Sequence, residues 1–231
     1  MIPPPRPRVI ALDGPSGSGK STVARGVASA LGWRYVDTGA TYRAVTAAVL
    51  ARGVDPHQQA GVLEVLRAAR IELSTDPATP GVWLDGRDIS AEIRGPQVTH
   101  AVSAVSAHPD VRRRLVALQR SLLGDGAVVE GRDIGTVVVP DAPVKVFLDA
   151  VAGVRASRRA DDTDAGVQPA GGNVLTEVAA DLARRDQLDS SRLVSPLVAA
   201  DDAVHVDSTE LSAAEVIAQV LELARQAGLS A

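Results

Sequence analysis

The sequence predicts an α/β fold in which a five-stranded parallel sheet is flanked by helices and carries a small antiparallel β insert. Three observations predict it. Short runs of Val, Ile and Leu recur and each ends in Asp or Glu. Each of these runs leads through a Gly or Ser/Thr turn into a helix-like stretch, and one region alone breaks that rhythm with two closely spaced strand-like runs.

The sheet runs are 9–12 before Asp13, 35–36 before Asp37, 127–129 before Glu130, 144–148 before Asp149 and 203–206 before Asp207. Near-continuous apolar runs suit strands buried on both faces. Ligands collect at the carboxyl ends of such strands, and that is where these carboxylates fall. The last helix is marked by Ser212 and Glu215, which have the spacing of a capping box, with Leu211 able to staple onto Val216. Val216, Val220, Leu223 and Ala227 then share one face and Gly228 ends the helix, which is expected to cover the sheet. The region that breaks the rhythm comprises strands at 71–76 and 82–89, with Asp85-Gly86 as a hairpin turn inside the second run. Helical stretches at about 61–70 and 95–106 bracket it, and an arginine-rich helix follows at 111–123. The polar, Gly-rich stretch 161–173 reads as loose.

The length of 231 residues and 45% apolar content allow a real core in a single domain over 1–231, with its body at about 8–60 and 107–226. No apolar run approaches the roughly 18 residues that a spanning helix requires, and the Pro-rich start has no apolar signal-peptide core. A cytoplasmic protein with no membrane partner is expected. The absence of cysteine excludes disulfides, thiolate zinc sites and thiol catalysis. A net charge of −4, with two Trp, two Tyr and one Phe, argues against a nucleic-acid polymer as partner. Any anionic ligand must therefore meet locally concentrated cations. Of the 24 cationic side chains only Lys20 and Lys145 are lysine, so the position of Lys20 is informative.

Residues 14–21 read Gly-Pro-Ser-Gly-Ser-Gly-Lys-Ser, directly after a strand and before a helix. The glycines let successive N–H groups turn inward, where they and the helix N-terminus hold phosphate oxygens. Lys20 supplies a mobile charge near the β- and γ-phosphates, and the Ser21 hydroxyl suits a magnesium ion. Gly14, Pro15, Ser16, Gly17, Ser18, Gly19, Lys20, Ser21 and Thr22 are the candidate ATP-binding residues, and Ser21 the candidate metal ligand.

A second cluster, Asp37-Thr38-Gly39-Ala40-Thr41-Tyr42-Arg43, also runs from a strand end into a helix. With Thr38 as N-cap, Tyr42 and Arg43 lie about one turn along, and an arginine there can grip an acceptor phosphate; a plain cap and a solvated charge is the alternative. The third, Glu130-Gly131-Arg132-Asp133-Ile134-Gly135-Thr136, offers a fork for phosphate and an acceptor for an exocyclic amine, or else a structural ion pair. Arg155, Arg158 and Arg159 share one helical face, as a solvated surface or as a lid that closes over phosphate. The cluster from Arg184 to Arg192 is open to both readings.

Taken in order, G-P-S-G-S-G-K-S, D-T-G-A-T-Y-R, E-G-R-D-I-G-T, V-K-V-F-L-D-A and R-R-D-Q-L-D-S-S-R-L-V-S-P-L resemble the bacterial cytidylate kinases, P-loop nucleoside monophosphate kinases, from about residue 8 to 226. That resemblance implies ATP and CMP or dCMP as substrates, magnesium as cofactor, and a monomer. It implies that the stretch 61–106 is the enlarged monophosphate-binding insert and 150–173 the lid. Arg43 and Arg132 would hold the CMP phosphate, and Ser103, Arg112 and Asp133 would read the cytosine edge. Thr38 stands where the family often has serine. Tyr42, Arg185, Asp189 and Arg192 would surround the sugar and its phosphate, and Arg155, Arg158 and Arg159 would cover the ATP phosphates. Leu188 and Ser190 stand where the family commonly has further arginines.

A phosphate monoester acceptor is already anionic at neutral pH, so no general base is needed and catalysis rests on alignment and charge neutralisation by Lys20, Arg132 and the lid arginines. Rival readings are a small-molecule kinase with another acceptor and a nucleotide-binding regulatory module. The sequence has neither an N-K-x-D guanine-reading motif nor an L-S-G-G-Q transporter signature.

Overall fold

The computed structural model describes residues 7–164, 174–192 and 194–230. In chain order the strands are β1 Val9–Asp13, β2 Arg34–Asp37, β3 Ile71–Leu73, β4 Val82–Leu84, β5 Arg87–Asp88, β6 Ala127–Gly131, β7 Val144–Asp149 and β8 Val204–Asp207. The helices are α1 Lys20–Leu31, α2 Thr38–Ala51, α3 Gln59–Ala68, α4 Pro96–Ala107, α5 Pro109–Ser121, α6 Ala152–Asp164, α7 Val174–Ser190 and α8 Ala213–Gln226. Five strands form one parallel sheet in the order β2-β6-β1-β7-β8, and the other three form an antiparallel sheet in the order β3-β4-β5.

The alternation of β1 explains the layers. Ile10 and Leu12 face one way, into a cluster with Val23 and Val27 of α1 and Val216 and Val220 of α8. Val9 and Ala11 face the other way, against Val116 of α5 and the turn containing Ile134 and Val138. Burying each of Val9, Ile10 and Leu12 contributes about 1.5–3 kcal/mol, so this central strand anchors both layers. A third cluster joins α2, α3, α4 and α5 to Ile71, Val82 and Leu84 of the small sheet and to Ile89 just after it.

The register collects the acidic ends. Glu130 of β6 lies opposite Asp37 of β2 and Leu12 of β1, while Asp13 lies opposite Gly131 and Phe147. The loops that leave these ends build the site.

Four expectations change in detail. Asp37, not Thr38, caps α2, accepting from the Ala40 N–H at 2.9 Å, because the Thr38 hydroxyl is committed to the Glu130 carbonyl on the neighbouring strand. The run at 71–76 leaves the strand at Leu73, where Ser74 and Asp76 turn their side chains onto the amides of Asp76 and Ala78. Helix α6 continues through Asp164 into the stretch read as loose, and 165–173 lie outside the described residues. On α8 the capping box is present, but Ala224 is buried in place of Ala227, since steps of four from Val216 and Val220 lead to 224. Asp85 and Gly86 both take positive φ, 52° and 83°, as the predicted hairpin turn requires.

Candidate active site

The loop after β1 is held between two neighbours. Gly14 has φ 147°, and a Cβ on it would lie 2.0 Å from the Leu148 carbonyl oxygen; Gly17 has φ 79°, and a Cβ would lie 2.6 Å from that of Arg155. No larger residue fits either position. Gly19 precedes α1 in the left-handed region and contributes no side-chain cap, so the helix N-terminus faces the loop uncapped, as an anion requires. Lys20 is buried, and its ammonium donates to the Pro15 carbonyl at 2.6 Å and the Ser18 hydroxyl at 3.3 Å. Burial, and then the positive charge of Arg132, push its pKa down to about 7, with Glu130, Asp13 and Asp186 opposing. A lysine placed at this cost is poised to gain an anion.

Beside it the Ser21 hydroxyl, on the open side of the loop, donates to Glu130 Oε2 at 3.0 Å. The Tyr35 hydroxyl donates to Glu130 Oε1 at 2.5 Å. Burial first, and then the charge of Asp37, hold the Glu130 carboxyl above its usual range. Magnesium takes oxygen ligands and keeps several waters, so a solvent-facing hydroxyl next to a buried carboxylate at a phosphate-binding loop fits that ion. The described residues hold no cluster of three or more His, Cys, Asp or Glu, and a magnesium shared with phosphates does not call for one. Thr22 follows Ser21 on α1 with its side chain exposed.

On the acceptor side, cations gather without enough anions. Arg43 NH1 and Arg185 Nε are buried without a hydrogen-bond partner. Burial, and then the charge of Arg185, push Arg43 down to about 9; Asp37 opposes, and Arg159 and Arg94 add to the depression. Arg185 is likewise lowered, by burial and then by Arg132. Arg132 spans the two halves: NH2 donates to the Ser16 hydroxyl at 2.6 Å and Nε to Asp189 Oδ2 at 2.9 Å. The other oxygen of Asp189 accepts from Arg192, which also donates to the Ser106 hydroxyl at 2.8 Å.

Deeper still, Arg112 and Asp133 form an ion pair at 2.6 Å with side chains 3% and 5% exposed. Arg112 also donates to the Ser106 carbonyl at 3.2 Å and lies over the Tyr42 ring, 5.1 Å from its centre. Burial pushes the Tyr42 hydroxyl up to about 12, with the charge of Arg112 opposing. Ser103 is one turn before Ser106 on α4 and contributes its carbonyl, which accepts from the Ser106 hydroxyl at 3.2 Å. Thr38 commits its hydroxyl to the Glu130 carbonyl at 2.7 Å.

Helix α6 lies against the donor loop. Arg155 donates to the Ser16 carbonyl at 3.1 Å and pairs with Asp186 at 2.5 Å, while Arg158 donates to the Ser208 hydroxyl and carbonyl at 3.0 and 2.8 Å. The charge of Arg159 is felt by both Arg43 and Arg185. Leu188 and Ser190 of α7 point to solvent.

The structure thus links the loop residues, Arg43, Arg112, Arg132, Asp133, Arg185, Asp189, Arg192 and the α6 arginines through one network of hydrogen bonds and charges at the carboxyl edge of the sheet. The sequence reading assigned no role to Glu130, although a carboxylate ending a strand between those of Asp13 and Asp37 was a usable signal. Ser208 carried no local signal, because the partners of its hydroxyl lie far along the chain, and the Arg192 bond to Ser106 likewise spans 86 positions.

The family model described as cytidylate kinase matches residues 10–226. A cytidylate kinase of Mycobacterium avium is 53% identical over 221 residues, covering 94% of this chain and 95% of its own. One of Corynebacterium glutamicum is 49% identical over 218 residues, 93% of each. Among solved structures, TT1252 from Thermus thermophilus aligns with 98% of this chain and 100% of its own at 18% identity, with a TM-score of 0.49. With the family model spanning nearly all of its length and relatives at about half identity end to end, the chain belongs to the cytidylate kinase family.

Proposed function

We propose that this protein transfers the γ-phosphate of ATP to CMP or dCMP, giving ADP and CDP or dCDP. The observation that carries the reading is the pair of buried guanidinium edges without partners, on Arg43 and Arg185, beside a donor loop to which Arg132 is directly bonded. An acceptor phosphate set on Arg43 and Arg185 would satisfy both edges and share Arg132 with the donor side. The pair of Arg112 and Asp133 supplies a donor and an acceptor for the cytosine edge, with Ser103 on the neighbouring helix. Tyr42, Thr38, Asp189 and Arg192 enclose the sugar and its phosphate.

The acceptor oxygen is already anionic, so no residue has to remove a proton. Lys20 exchanges its bond to the Pro15 carbonyl for the β- and γ-phosphates, and Arg132, Arg155, Arg158 and Arg159 neutralise charge as it spreads over the transferred group. Ser21, with Glu130 behind it, would hold a magnesium ion, which would supply positive charge against the donor phosphates when bound. Residues 61–106 act as the monophosphate-binding insert and 150–173 as the lid. The same reading has a cytoplasmic monomer that works on free nucleotides; among the described residues no helix is long and apolar enough to cross a membrane.

The test is ADP release with CMP, dCMP, UMP, AMP and shikimate offered as acceptors. CMP and dCMP should stimulate it most, and no stimulation by any monophosphate would overturn the reading.

A further inference from the structure

Asp13 ends β1, 4% exposed, immediately before the donor loop. It accepts from the backbone N–H of Ile134 at 2.7 Å and of Gly135 at 2.8 Å. Those amides open the π turn Ile134–Val138, and the first N–H groups of a helical turn have no partner inside it. The residue at the cap position of that turn is Asp133, and its side chain makes no capping bond. An aspartate at a cap ordinarily turns its carboxylate onto the amides just ahead. Here the carboxylate is instead paired with Arg112 at 2.6 Å.

We propose that Asp13 is a specificity-positioning residue: by capping the Ile134–Val138 turn from the neighbouring strand, it leaves the Asp133 carboxylate to Arg112 and the acceptor base. This rests on the reading of Asp133 as the base-recognising group. Without an acceptor on β1, the two orphan amides would draw the nearest carboxylate, and that is Asp133 itself. The approach is close on every side. A Cβ on Gly135 would lie 3.4 Å from Asp13 Oδ2 and 3.1 Å from Lys145 Cδ, so the lysine stem closes the far wall. The Lys145 ammonium is turned away to Asp202, at 2.9 Å. The charged groups that act on Asp13 are Asp133 and Lys20. Burial above all, with the charge of Asp133 adding and the two amides and Lys20 opposing, pushes its carboxyl up to about 6. A proton on Asp13 would place a donor against one of the two N–H groups.

The experiment compares kcat/KM for CMP with that for UMP in the wild type, Asp13→Asn and Asp133→Asn. Asparagine keeps the shape but offers a single acceptor oxygen, so Asp13→Asn should lower the CMP-to-UMP ratio about tenfold, the effect of one lost buried hydrogen bond, with the KM for ATP within about twofold. A ratio unchanged in Asp13→Asn but reduced in Asp133→Asn overturns the positioning role alone. A ratio unchanged in Asp133→Asn overturns the base-recognition reading beneath it. A raised KM for ATP at a constant ratio assigns Asp13 to the donor loop and also overturns the proposal. Should Asp13→Asn fail to fold, the wild-type ratio between pH 5 and 8 decides, because the phosphate ionisation common to both acceptors cancels. A ratio that falls below about pH 6 supports the role, and a flat one contradicts it.

Discussion

The Arg112 guanidinium stands 2.6 Å from the Asp133 carboxylate, with both groups enclosed and the Tyr42 ring on the guanidinium face. Such a pair cannot be cut without leaving one charge stranded. Asp133→Ala therefore does two things: it removes a base contact and costs about 3–5 kcal/mol of stability by leaving Arg112 buried and unpaired. Asp133→Asn lessens the second effect, because the amide oxygen can still accept from the Arg112 guanidinium. It should lower kcat/KM for CMP by about 10–100-fold and change that for UMP far less, while denaturant unfolding shows a smaller loss of stability than in Asp133→Ala. Equal loss of kcat with every acceptor would assign Asp133 to the chemistry instead.

Lys20 carries the opposite signature. Its ammonium is held by the Pro15 carbonyl and the Ser18 hydroxyl, inside the donor loop. Lys20→Met should lower kcat by about 100–1,000-fold with CMP, dCMP and UMP alike, the scale of losing one oriented charge at a transferring group. Steady-state rates with each acceptor check it, and an acceptor-dependent loss would contradict the assignment.

Arg43 predicts a gain as well as a loss. Its folded pKa, about 9, lies below the 12.5 of the unfolded chain, so at neutral pH it is charged in both states and the folded state bears the cost. That cost is present below pH 9 and is relieved as pH rises from 9 towards 12.5, because the unfolded chain then binds more protons. Arg43→Leu should thus melt no lower than the wild type without ligand. It should also lose the rise in melting temperature that CMP produces, with KM for CMP up about 10–100-fold. Thermal melts with and without CMP measure both.

Much of this was legible in the sequence because it is local. The glycines, Lys20 and Ser21 fall within eight consecutive residues, and the box formed by Ser212 and Glu215 spans a single turn. The strand ends were legible for the same reason, as apolar runs that stop at a carboxylate. What escaped depends on approach across the fold. The Arg132 bonds to Ser16 and Asp189 link residues 116 and 57 positions apart, and no spacing rule reaches that far. The choice between Asp37 and Thr38 as cap was a matter of one residue, settled by Thr38 finding the Glu130 carbonyl on the next strand. The π turn after Asp133 was invisible for a related reason, since its two leading amides are satisfied by Asp13, more than a hundred residues earlier.

The family's extra arginines give a test of that site's outline. Leu188 and Ser190 are exposed on α7, whereas Arg185 and Asp189 are buried. Leu188→Arg and Ser190→Arg should therefore leave the CMP and dCMP values of KM within about twofold, as surface substitutions generally do. A large gain in CMP affinity from either would show that this face of α7 turns inward during catalysis.

The central claim is that one site aligns an ATP γ-phosphate with the phosphate of CMP. Its most direct test is to follow the γ-phosphate of radiolabelled ATP in the presence of CMP and magnesium and to separate the products. The account predicts label in CDP at the rate at which ADP appears. Label released as inorganic phosphate, with CMP recovered unchanged, would contradict it.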